Sequence, residues 1–136
     1  MSLRAIPLSI IPFVLYNIVV VLGGADHNAT LRQEWLPIPL MTGTLKLSTG
    51  DIIIFVTMIC LFIELIKSTF TSTTAMIDHG LSMLIFIACL VEFLIARPAN
   101  SAVFFFITIA TLIDVVAGFM IGMRTARRDL NIGTDS

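Results

Sequence analysis

The sequence predicts an all-α integral membrane protein, with four transmembrane helices in a bundle and a short β-hairpin-like outer loop between helices 1 and 2. Three observations carry this reading. Hydrophobic residues make up 57% of the 136-residue chain and charged residues only 12%, about half of the roughly one quarter that a soluble domain carries. The mean hydropathy is +1.03. The apolar residues gather into four runs, at 5–22, 52–66, 81–96 and 102–123. With their flanks, these approach the ~20 residues a helix needs to cross ~30 Å of hydrocarbon. Lipid offers no hydrogen bonds to a bare backbone, so such runs read as spanning helices. A single domain covering residues 1–136 leaves no room for a separate catalytic domain.

The first helix is expected at about 5–23. Arg4, the apolar core and "GGA" before Asp26 also fit a cleaved leader. We read the segment as a helix bent at Pro12. An outer loop follows at 24–48. Within it "WLPIPLMTGTLKLSTGD" alternates apolar and polar residues on both sides of Thr42-Gly43, which is a hairpin signal. Pro37 and Pro39 remove two donors from the same edge, so the first arm is an edge strand or an extended polyproline segment. Trp35 belongs at the headgroup level. The hairpin is a cap on the outer surface or a docking edge for a partner. "NAT" at 28–30 matches a glycosylation tripeptide, which such short matches often do by chance.

The second helix is expected at 49–68, because "STGD" places Ser48 as N-cap with Asp51 three residues on, a capping box. The third is expected at 74–96, capped by Ser72 or Thr74, with Asp78 favouring the positive helix start. "RPANS" breaks the chain at Pro98 and caps a fourth helix, expected at 100–125, with Asn100 or Ser101. With both termini cytoplasmic, Arg4, Lys67, Arg124, Arg127 and Arg128 lie inside, and Arg32, Lys46 and Arg97 lie outside. That bias predicts cytoplasmic termini in an inner (cytoplasmic) membrane. Arg124, Arg127 and Arg128 are candidate contacts for lipid headgroups, or an ordinary stop-transfer flank.

The polar residues inside the runs fall into stripes. Thr57, Cys60, Glu64 and Lys67 share one face of the second helix; His79, Ser82, Cys89 and Glu92 share one face of the third. On the fourth, Thr111, Asp114, Gly118 and Gly122 follow at steps of 3, 4 and 4. Such spacing keeps each set on one helix face, and Gly118 with Gly122 forms a G-x-x-x-G pair. Thr111, Gly118, Gly122, Ser82 and Cys89 are therefore candidate packing residues. Asp114, Glu92, Glu64, Asn17 and His79 form the candidate polar seam, or a site for protons or ions. A charged aspartate at the bilayer centre costs about 2.5–3.5 kcal/mol. In its neutral form Asp114 can hydrogen-bond across to Asn17, Thr57 or a partner subunit. Glu64 is expected to pair with Lys67 near the inner end of its helix, and Glu92 with Arg97 or the hairpin. "CLFIEL" and "CLVEFL" echo one another as an inverted repeat does, or by chance in an apolar alphabet.

Glu64 followed by "KSTFTSTTAMIDHGLSMLIF", then "VEFL", "DVVAGF" and "ARRD", resembles small four-helix inner-membrane proteins of bacteria. The resemblance covers about the last two thirds of the chain. It implies a topology and no catalytic residues, since no activity is assigned to that group. Neither histidine has a serine or cysteine placed beside it by local spacing to act as a nucleophile. The chain has no phosphate-binding glycine loop and no cofactor motif. Cys60 and Cys89 read as small buried hydrophobes, and neither "DH" pair makes a metal site by itself. A net charge of -1 argues against a nucleic-acid partner. The expectation is a non-enzymatic membrane protein, without cofactor or metal, that acts as an accessory, scaffold or self-assembling subunit. Its partners are the lipid bilayer and further copies of itself or a larger membrane-protein complex. The alternative is a small ion channel or proton-coupled carrier using Asp114, Glu92 and Glu64. A third reading is the anchor of a redox enzyme, with His79 against haem or quinone.

Overall fold

Helix α1 spans Ile10–Gly23 in the computed structural model, which describes residues 5–70 and 73–134 of a mostly helical chain. It begins later than the apolar run suggests. The N–H of Ile10 reaches Pro7 O at 3.3 Å and that of Ile11 reaches Leu8 O at 3.0 Å, forming a turn ahead of the helix. Pro12 then falls in the first turn, where a missing N–H forfeits no intrahelical bond. It belongs to the helix start, and not to a bend within the span. Gly24, at φ 62°, breaks the helix. A 3-10 turn at Gly24–Asp26 leads into α2, His27–Arg32, whose N-cap Asp26 accepts from the Ala29 N–H at 3.2 Å. The start of the expected loop is therefore helical, and "NAT" lies within α2.

Strands β1, Glu34–Leu40, and β2, Gly43–Ser48, form the expected antiparallel hairpin. Ile38 faces Leu45 and Leu40 faces Gly43, so Met41 and Thr42 make the turn, one residue earlier than the sequence suggests. Gly43 holds φ 147°, which a side chain disfavours. Helix α3, Thr49–Lys67, starts on a complete capping box. The Asp51 N–H donates to Ser48 Oγ, and the Ser48 N–H donates back to Asp51 Oδ2 at 2.9 Å. The helix buries Gly50, Ile53, Thr57, Cys60 and Glu64 along one stripe and leaves Phe55, Met58, Phe62 and Ile66 exposed.

Helix α4 spans Thr73–Ile95. Thr74 lies inside it and is not its cap, and Ser72 falls outside the described residues. After a 3-10 turn at Arg97–Ala99, α5 runs from Ala102 to Thr134. Ser101 caps it, accepting from the Phe104 N–H at 3.2 Å. The helix passes its expected end because "RTARRDLNI" contains no proline or glycine and is rich in helix formers. Apolarity ends near Met123; helicity does not.

Four helical segments are long and apolar enough to cross a membrane: Ile10–Arg32, Thr49–Lys67, Met76–Ile95 and Ala102–Arg124. Helix α5 packs on both α4 and α3, and α1 packs on α3. The interior divides into two zones. Toward the hairpin it is apolar, with Tyr16, Val20, Leu31, Ile53, Cys89, Phe104 and Ile107 buried together. The Tyr16 and Phe104 rings lie 4.9 Å apart, and the Tyr16 hydroxyl meets Pro98 O and Ser101 Oγ at 2.6 Å each. Toward the other end the buried residues turn polar: Ser9, Glu64, Ser68, Asp78, Ser82, Thr111 and Asp114. Residues 5–9, the last turn of α3 and the later part of α5 share that end.

Candidate functional site

Glu64 is placed by the last turn of α3, on the stripe that also buries Thr57 and Cys60. It is 1% exposed, so the neighbouring elements enclose it although it stands near the end of its own helix. Its Oε1 accepts the Leu8 N–H at 2.6 Å and the Lys67 ammonium at 2.9 Å. The i,i+3 pair is the one the sequence predicts. Lys67 also reaches Asp78 Oδ1 at 3.2 Å and Ile6 O at 3.3 Å. One ammonium thus ties α3 to α4 and to the segment that precedes α1.

Asp78 enters this group from α4 and is nearly as buried. In the sequence it stands out only as a charge near a helix start. Its spacing of four from Ser82, which puts both on one face, is the local signal that could have found it. Asp114 arrives from α5 and is 3% exposed. Its polar neighbours are the Ser82 and Ser9 side chains, with Glu64 and Asp78 as the nearby charges. The packing stops short of satisfying them. Asp114 Oδ2, Glu64 Oε2, Ser82 Oγ and Ser9 Oγ have no hydrogen-bond partner among the described residues. A cavity of about 10 Å³ adjoins Asp114, lined by Ser9, Pro12, Thr57, Cys60, Leu61, Ala110 and Thr111, and its accessible wall is apolar. That is room for about one water molecule.

Two expected pairings fall elsewhere. Asn17 does not reach Asp114. Its Nδ2 donates to Phe13 O at 3.0 Å and to Glu92 Oε2 at 3.4 Å, since both residues lie in the hairpin half. Glu92 is therefore separated from the other acids by depth and borders a lateral groove of about 500 Å³ with Phe13, Val14 and Ile18. His79 sits against the glycines of α5. A Cβ built at Gly118 would lie 2.8 Å from His79 Cε1, and one at Gly122 would lie 3.5 Å from Nε2. The G-x-x-x-G pair thus makes a seat for an imidazole. Cys89 lies beside Thr111, so those packing residues do join α4 to α5.

Both cysteines are free thiols. Among the described residues no group of three or more His, Cys, Asp or Glu side chains is placed to hold a metal ion. Arg124 and Arg127 line a shallow surface depression with Met120 and Met123; the Arg128 side chain lies outside the described residues. Chemically, the buried cluster offers three carboxyl groups, one ammonium and two hydroxyls that can hold or exchange a proton. No protein-family model, curated protein or solved structure matches this chain.

Proposed function

We propose that this chain is a non-enzymatic integral protein of the cell's inner membrane, crossing it four times with both termini cytoplasmic. In this reading it acts as an accessory, scaffold or self-assembling subunit, with the topology of the small four-helix proteins it resembles. One observation carries the reading. The outward helix faces are apolar, as Phe55, Phe62, Leu84, Leu94, Val116 and Phe119 illustrate, while the polar residues of α3, α4 and α5 turn toward one another. What remains for contact with other molecules is an apolar lateral surface suited to lipid and to other spans. The lysine and arginine bias supports the orientation.

A wash of native membranes at alkaline pH tests the first part: the protein stays in the pellet. Native mass spectrometry after extraction in mild detergent tests the second: it flies as a homo-oligomer or with a larger membrane protein. A lone monomer that carries nothing with it overturns the subunit reading. The carrier reading is favoured by the unpartnered oxygens of Asp114 and Glu64. Its test is flux in proteoliposomes, which Asp114→Asn abolishes if that reading is right and leaves unchanged if the subunit reading is right.

A further inference from the structure

The ammonium of Lys67 has three N–H groups. Glu64 Oε1, Asp78 Oδ1 and Ile6 O take one each, so none is left for Asp114. The groups around Asp114 come from every neighbouring element. Helix α3 supplies Glu64, Lys67 and the Cys60 thiol, and α4 supplies Asp78, His79 and Ser82. The N-terminal segment supplies Ser9 and its backbone at Ile6 and Leu8. His79 lies over Gly118, one turn beyond Asp114 on α5. If all three carboxyls are ionised, the cluster holds three negative charges against the single ammonium. An ionised carboxylate only accepts hydrogen bonds, and Asp114 Oδ2 has no partner within hydrogen-bond distance among the described residues.

We propose that the cluster is a proton-binding site, in which Asp114 holds one proton at neutral pH while Glu64 and Asp78 share the charge of Lys67. The step is the addition of a proton to the aspartate carboxylate, giving a carboxylic acid, with no other bond made or broken. The acid's O–H turns Oδ2 from an acceptor without a donor into a donor. The Ser82 and Ser9 hydroxyl oxygens beside it, without partners among the described residues, have the lone pairs to accept that O–H. Glu92 plays no part, because it pairs with Asn17 in the other half of the bundle. The inference rests on the membrane reading of the preceding subsection and is indifferent to whether the chain is a subunit or a carrier.

Infrared spectroscopy of the protein reconstituted in lipid vesicles at neutral pH tests it. The expected result is a protonated-carboxyl carbonyl band that is lost in Asp114→Asn and kept in Asp78→Asn. Carbon-13 labelling of the aspartate carboxyls, in the unsubstituted protein and in Asp78→Asn, keeps the test open if Asp114→Asn does not fold: a band that moves with the label in both puts the proton on a buried aspartate other than Asp78. A missing band overturns the proposal. So does a band untouched by Asp114→Asn, or one that ignores the aspartate label, which would put the proton on Glu64 or Glu92. Release of the protein by the alkaline wash identifies the separate failure of the membrane reading.

Discussion

Lys67 holds a position that its own helix only half determines. The i,i+3 spacing to Glu64 is legible in the sequence, and on an exposed helix such a pair contributes only about 0.2–0.5 kcal/mol. Burial of Glu64 and the arrival of Asp78 from another helix change its weight. Removing one partner of a buried ion pair costs about 3–5 kcal/mol, because the other charge is left uncompensated. Lys67→Met is therefore expected to lower the thermal unfolding midpoint in detergent strongly, and Glu64→Gln less, since the amide oxygen can still accept from the Leu8 N–H. A second residue-scale prediction concerns His79. Gly118→Leu drives a side chain into the imidazole and should destabilise by about 1–3 kcal/mol, the usual cost of overpacking. Gly118→Ala should cost less, because the first contact is with the far end of a side chain that can swing aside. Thermal unfolding of the two variants side by side checks the order.

At the scale of elements, the starts are more legible than the ends. Ser48 and Asp51 announce the first turn of α3 by local chemistry alone, and the capping box forms as spelled. The end of α5 has no such marker in hydropathy, so an apolar reading stops short of a helix that continues on propensity. Tyr16 shows the opposite limit. Nothing in its neighbourhood marks it, yet its hydroxyl holds α1 to the Pro98–Ser101 turn that launches α5. Tyr16→Phe leaves the ring packing on Phe104 but removes both hydrogen bonds, and it should cost about 1–3 kcal/mol if Pro98 O is left buried without a donor. Unfolding in detergent measures this. The hairpin carries the chain's one tryptophan. Trp35 is largely exposed while its indole N–H donates to Thr49 Oγ1 at 2.7 Å. An exposed amphipathic ring beside the start of a span belongs at the membrane–water interface. Brominated lipids should therefore quench its fluorescence most when the bromines sit shallow in the bilayer. Quenching that is strongest from deep bromines, or absent, would remove the hairpin from the headgroup level.

Across the whole molecule the interior is graded, with aromatic and aliphatic packing under the hairpin and carboxyls, hydroxyls and one ammonium at the other end. The apolar zone supplies cohesion by close packing, which is what holds spans together when lipid is as apolar as their side chains. The polar zone has fewer satisfied groups and is the part expected to respond to acid. Composition and run length by themselves determined that four segments are fit to span a membrane, because hydrocarbon thickness demands a length and an apolarity that can be counted along the chain. The stripes on α3, α4 and α5 were equally countable, because helical periodicity assigns faces without reference to neighbours. Which stripe meets which was decided only by the tertiary structure. Asn17 faces Glu92 instead of Asp114, Asp78 joins Glu64, and two glycines seat His79, because depth and rotation of each helix are set by packing against the others. Helical spacing identifies the residues that share a face; it cannot say what stands opposite.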